Sequence, residues 1–210
     1  ERILRGESFI LKGTFSDSDL RSMYHKVFHD YVGVEPKVQE NKWGIPDYWR
    51  IDDNPVKSNI PKMQSLYFNF IWNHTYSEIT RISSLLGRLR NRIAGLPENL
   101  GFDENEPWRI YPVLQHYPAG GGYISKHSDP IEPQLCVASL LVEKDFKEGG
   151  LFVEINGEDS LIEPYMEPGD IFIFRPNIPH GIAPIDPDEV ADFRSSKGRW
   201  RLAAILAEAV

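Results

Sequence analysis

The chain has 210 residues, 41% hydrophobic and 26% charged, which is enough apolar material for one core and sets an expectation of a single domain over 1–210. Its formal net charge of −8 argues against nucleic acid, since neutralising phosphates takes a basic stripe and the one dense basic run, GRLRNR at 87–92, falls inside a helical pattern. One cysteine forbids an intrachain disulfide, and no apolar run nears the ~18 residues of a membrane span, so a cytoplasmic protein without a membrane partner is expected.

The first predicted element is a helix over SDSDLRSMYHKVFHDY, with Ser16 or Asp17 as its cap and Leu20, Tyr24, Val27, Phe28 and Tyr31 on one face. A proline-, aspartate- and aromatic-rich segment follows, NKWGIPDYWRIDDNPVKSNIPK at 41–62. It reads as a structured loop, either a lid over a substrate cavity or a loop pinned down by Trp43, Tyr48 and Trp49. The second helix, YSEITRISSLLGRLRNRIAG, repeats Ile79, Ile82, Leu86, Leu89 and Ile93 and stops at Gly95 with Pro97 behind it.

Near residue 100 the pattern changes to short β runs: WRIYPVLQHY, GYISKHSD, QLCVASLLVE, GLFVEI, DSLIEP, GDIFIFR, HGIAPI and WRLAAILAEA. Strands at such spacing predict a sandwich or barrel, and INGE at 155–158 is a two-residue hairpin signal. The expected fold is mainly β, a jelly roll over 101–210, with helical support and a lid region in 1–100. Cys136, inside QLCVASLLV, reads as a small core residue.

The chemistry concentrates in HYPAGGGYISKHSDP at 116–130. As a strand, YISKHSD would turn Tyr123, Ser125, His127 and Asp129 to one face, placing an imidazole beside a carboxylate. A metal site needs a third ligand. His25 and His29 are four apart on the first helix and read as surface residues, and His74 and His116 have no carboxylate at ligand spacing. His180 follows a strand and the turn PNIPH, in which Pro176 and Pro179 restrict the backbone. His127, Asp129 and His180 thus supply two imidazoles and one carboxylate, the facial triad of non-haem Fe(II) oxygenases, with positions left open for a bidentate cosubstrate and dioxygen.

Alternation in KGRWRLAAI turns Arg199 and Arg201 inward with Ala203, and an inward guanidinium calls for an anionic partner. Gln115 and Tyr117, two apart on the strand entering the site, could hydrogen-bond a cosubstrate or substrate, or could be ordinary barrel residues.

Taken together, these features resemble the Fe(II)/2-oxoglutarate-dependent dioxygenases, especially the prolyl-hydroxylase-like branch. QHYPAGGGYISKHSD resembles that branch's Tyr-x-x-Gly run before HxD, EGGLFVE its Gly-Gly turn before a strand, and PGDIFIFRPNIPHGIAPI its strand leading to the second histidine. The resemblance spans roughly 108–206 and implies a double-stranded β-helix. It also implies Fe(II) on His127, Asp129 and His180, 2-oxoglutarate and O2 as cosubstrates, and ascorbate as a candidate reductant.

The distal carboxylate of 2-oxoglutarate would pair with Arg199, with Arg201 second and Arg194 third, at a longer spacing after the second histidine than the family often shows. The chemistry implied is oxidative decarboxylation to succinate coupled to hydroxylation of a C–H; retention of Asp129 favours hydroxylation over halogenation, while desaturation or ring closure would use the same residues. A small metabolite, such as an amino acid or a natural-product intermediate, is the expected substrate. The alternatives are a peptide or protein side chain, a cupin-like metalloprotein that uses no 2-oxoglutarate, and a binding module with a structural metal. Oligomeric state is left open.

Overall fold

The computed structural model describes residues 2–31, 48–52, 64–68, 76–103, 105–192 and 194–208. The chain begins with strand β1 (Phe9–Leu11) and helix α1 (Asp17–Tyr31), followed by β2 (Tyr48–Asp52), β3 (Gln64–Phe68) and helix α2 (Ser77–Ala94). Eight strands then follow: β4 (Trp108–Pro118), β5 (Gly122–His127), β6 (Val137–Asp145), β7 (Gly150–Ile155), β8 (Glu158–Leu161), β9 (Ile171–Phe174), β10 (His180–Ile185) and β11 (Gly198–Glu208).

Both helices form where the apolar spacing predicts them. The Ser16 hydroxyl accepts the Asp19 N–H at the start of α1. Gly95 closes α2 in the left-handed region at φ 73°, its N–H bonding back to Arg92 and Asn91 carbonyls. The INGE hairpin also forms: Asn156 and Gly157 both take positive φ, 54° and 84°, and Ile155 pairs with Glu158.

The strands make two antiparallel sheets. One has the order β1-β9-β6-β11-β4-β3-β2 and the other β5-β10-β7-β8. From β4 onward the chain passes back and forth between them, which is the jelly-roll path.

Two apolar layers follow from this arrangement. Leu20, Ile79, Ile82, Leu86, Leu114, Leu140, Trp200 and Leu202 fill the space between the helices and the larger sheet. Tyr117, Leu141, Val153, Phe172, Phe174 and Ile182 fill the space between the sheets. Central strands are therefore buried on both faces, and every residue of β4 from Ile110 to Pro118 is buried.

The first hundred residues contribute more than helical support. β1 pairs with β9, and β2 pairs with β3, which pairs with β4, so three strands from this region extend the larger sheet. The loop expected over 41–62 is thus a strand at 48–52. Trp43 and the rest of that segment lie outside the described residues, as does a lid role for it.

Candidate metal centre

His127 is the last residue of β5 and His180 the first of β10, and the antiparallel register sets them opposite each other with ring centroids 4.4 Å apart. Simple alternation does not deliver His127 to this face. Ile182 pairs with Ile124 and His180 with His127, so β5 advances three residues while β10 advances two. This bulge turns His127 to the interior side of Ile124, whereas Tyr123 and Ser125 line a cavity of about 380 Å³ with Lys126 and Asp159 outside the smaller sheet. The shared face expected for Tyr123, Ser125 and His127 does not form.

Asp129 lies two residues past the strand, and its N–H is held by the Pro176 carbonyl at 3.0 Å. That bond joins the loop carrying the carboxylate to the proline-rich turn before His180. Ligand atoms of His127, Asp129 and His180 all lie within 4.8 Å of one another. The Nε2 atoms of His127 and His180 are 3.8 and 3.7 Å from the two Asp129 oxygens. The His180 side chain is 7% exposed, against 33% for His127 and 44% for Asp129, so the group is closed on one side and open on the other.

Electrostatics favour a neutral His180 imidazole as a ligand. Burial pushes His180 down to about 4, with further lowering from His127 and Arg201, against opposing contributions from the Ile178 carbonyl and Asp129. Nδ1 of His127 lies 2.8 Å from the Ser125 carbonyl and Nδ1 of His180 lies 2.8 Å from the Ile178 carbonyl. A carbonyl can only accept, so each ring carries its proton on Nδ1 and aims the Nε2 lone pair at the shared space. Such a donor set suits a divalent transition metal.

No protein-family model and no curated protein matches the sequence. Solved structures do match in fold. A Pseudomonas putida prolyl-4-hydroxylase superposes with a TM-score of 0.63 at 13% identity, covering 99% of this chain and 97% of that one. A Trichoplax adhaerens prolyl hydroxylase, in complex with a hypoxia inducible factor peptide fragment, gives 0.60 at 14% identity over 97% and 86%. The S. alaskensis EctD complex with 2-oxoglutarate and 5-hydroxyectoine gives 0.53 at 15% identity over 97% and 73%. The chain has the 2-oxoglutarate/Fe(II) oxygenase fold.

Within that oxygenase fold the remaining candidates fall at different depths. Gln115 and Tyr117 sit on the interior face of β4, opposite Arg201 and Arg199 of β11. Arg201 Nε donates to Gln115 Oε1, which also accepts the Tyr117 hydroxyl at 3.4 Å. Arg201 is half-buried, and because Trp200 and Leu202 are buried against the helix layer, its exposed surface faces the barrel interior. Arg199 is buried, its Nε donating to Glu163 at 2.8 Å. Arg194 is exposed.

Glu163 is the residue that sequence reasoning missed. It precedes Pro164 in a short 3₁₀ turn, and nothing in its local pattern marks it as inward. The one usable signal is the rule already applied to the arginines, that an inward guanidinium needs a carboxylate.

The other histidines are accounted for. His25 is exposed and stacks on Tyr24, the His29 side chain is 90% exposed, and His74 lies outside the described residues. His116 stacks on Trp200, with Nε2 3.0 Å from the Lys197 carbonyl. Cys136 is a core thiol, pushed up to about 11 by burial.

Proposed function

We propose that this chain is an Fe(II)- and 2-oxoglutarate-dependent oxygenase that hydroxylates an unactivated C–H of a small molecule. The observation that carries the reading is the His127–Asp129–His180 group, two Nε2 atoms and one carboxylate gathered within 4.8 Å inside an oxygenase fold. Fe(II) bound there with 2-oxoglutarate and O2 supplies oxidative decarboxylation coupled to C–H oxidation.

The residues divide the work. His127 and His180 hold the metal through Nε2, and Asp129 through a carboxylate oxygen. Arg201, oriented by Gln115, is our first choice for the distal carboxylate of 2-oxoglutarate, with Arg199 second. Two observations favour this order: Arg201 has interior surface while Arg199 is buried against Glu163, and Arg201 is near enough to the candidate ligands to help lower the pKa of His180. Tyr117 completes the polar wall through Gln115.

A peptide side chain is the second reading, because the Trichoplax adhaerens neighbour is a prolyl hydroxylase with a bound peptide fragment. The deciding experiment is succinate release from protein, Fe(II) and 2-oxoglutarate with a panel of amino acids, small natural-product intermediates and proline-containing peptides. Product formation that is indifferent to omission of 2-oxoglutarate would move the chain to the cupin-like alternative, and no succinate with any panel member would leave the proposal without support.

A further inference from the structure

β5 ends and β10 begins at the metal ligands, so Gly122 and Ile185, which pair with each other, mark the opposite end of the barrel. Arg199 lies at that end, one residue into β11 and opposite Tyr117, the next-to-last residue of β4. Its side chain and that of Glu163 are 1% and 2% exposed.

Several contacts fix Glu163. The Leu151 N–H donates to the same Oε2 that receives Arg199, at 2.8 Å, and Lys144 Nζ donates to the Glu163 carbonyl at 3.0 Å. Gly150, at φ 108°, leaves the space that the glutamate side chain fills: a Cβ there would stand 2.4 Å from Glu163 Cγ. The pair is incomplete all the same. Among the described residues, Glu163 Oε1 and Arg199 Nη1 are both buried without a hydrogen-bond partner. The arginine is therefore a built anion position whose acid comes from the chain itself.

We propose that Glu163 decides where the barrel holds an anionic ligand: by occupying Arg199 from within, it closes the deep position and leaves Arg201, two residues nearer the metal on the same strand face, open to a carboxylate. Two strand residues are about 6.7 Å, roughly the length of a small dicarboxylate, so the choice of arginine sets how far from the metal a ligand's acid group can sit. The identity of that ligand as 2-oxoglutarate rests on the oxygenase reading, whereas the Glu163–Arg199 relation does not.

Two measurements test it. In thermal unfolding of metal-free protein, Glu163→Ala should melt lower than wild type and recover saturably with formate or acetate, beyond the effect of chloride at matched ionic strength. Neither wild type nor the Glu163→Ala/Arg199→Ala double variant should show that recovery. In calorimetry of Mn(II)-loaded protein with 2-oxoglutarate, Arg201→Ala should lose at least tenfold more affinity than the double variant. The double variant removes both charges together, so the comparison stands even if Glu163→Ala alone does not fold.

A folded Glu163→Ala without carboxylate recovery, or a greater loss of 2-oxoglutarate in the double variant than in Arg201→Ala, overturns the inference. Absence of 2-oxoglutarate binding by wild type overturns the oxygenase reading instead, and the recovery experiment then judges the Glu163–Arg199 relation alone.

Discussion

His127 and His180 use the same local device: each holds Nδ1 2.8 Å from the carbonyl oxygen two residues earlier in its own chain, Ser125 and Ile178. One imidazole ends a strand and the other begins one, yet both rings are oriented by backbone two residues away. The tautomer and aim of the two Nε2 atoms are thus set locally, while the β5–β10 register sets the distance between the rings.

The metal assignment predicts a separation of affinity from stability. His180→Ala and Asp129→Ala should each weaken Mn(II) or Fe(II) binding by at least about 100-fold, since loss of a mere supporting partner already costs 10–100-fold. The Asp129 side chain is 44% exposed and lies in a loop, so its removal should change stability by only about 0.5 kcal/mol. Calorimetric metal titration paired with chemical unfolding reads both. One metal per chain at unchanged affinity in His180→Ala would remove it from the ligand set.

The parts of this site that were legible in the sequence are those with short-range causes. His127, Asp129 and His180 stand out by residue type beside a glycine run and a proline turn, and β4, β7, β10 and β11 follow runs of apolar residues. What stayed hidden depends on distant partners. The bulge in β5 is defined only against β10, so alternation alone misplaces Tyr123 and Ser125. β2 is a five-residue run between Pro46 and Pro55 that becomes a strand by pairing with β3. Glu163 is 36 residues from Arg199, and no local pattern connects them.

For the cosubstrate, the Arg201–Gln115 contact predicts a graded response. Losing one partner of a buried charge-assisted pair typically costs about 2–5 kcal/mol, so Arg201→Ala should raise the 2-oxoglutarate requirement at least tenfold. Gln115→Leu, which leaves the charge but removes the acceptor on its Nε, should raise it less. The KM for 2-oxoglutarate against that for the prime substrate distinguishes this from general damage. Equal increases in both constants would argue that Arg201 supports the fold rather than the ligand.

Trp200 tests the helix-covered side of the same strand. It is 1% exposed, stacks on His116 with centroids 4.3 Å apart, meets Phe28 edge-on at 5.8 Å, and donates Nε1–H to the Ser196 carbonyl at 2.8 Å. Trp200→Ala should cost about 3–5 kcal/mol in denaturant unfolding. Metal stoichiometry of the folded fraction should hold, because the candidate ligands His127 and His180 lie on the other sheet and Asp129 in the loop after β5. A loss below about 1 kcal/mol would mean that the helices contribute little to the stability of the larger sheet.

Asp170 should give the fold part of its acid sensitivity. It is 2% exposed just before β9, accepts the Gly13 N–H at 2.7 Å and the Glu167 N–H at 2.8 Å, and pairs with Lys12, tying the end of β1 to the turn at 167–170. Burial alone would raise its pKa, but Lys12 and the two N–H bonds outweigh that and hold it below the ordinary carboxylate value. A depressed folded pKa contributes stability that is complete above the unfolded value of about 3.9 and is lost as pH falls through the folded one. In Asp170→Asn one acceptor oxygen remains for Gly13, while the amide nitrogen faces Glu167 and Lys12 as a donor. The variant should therefore be less stable by about 1–3 kcal/mol at pH 7, and the gap to wild type should shrink as pH drops from about 4 toward 2. Denaturant midpoints of both proteins at pH 7 and pH 3 check this, and an equal gap at the two pH values would show that the carboxylate charge contributes nothing at that position.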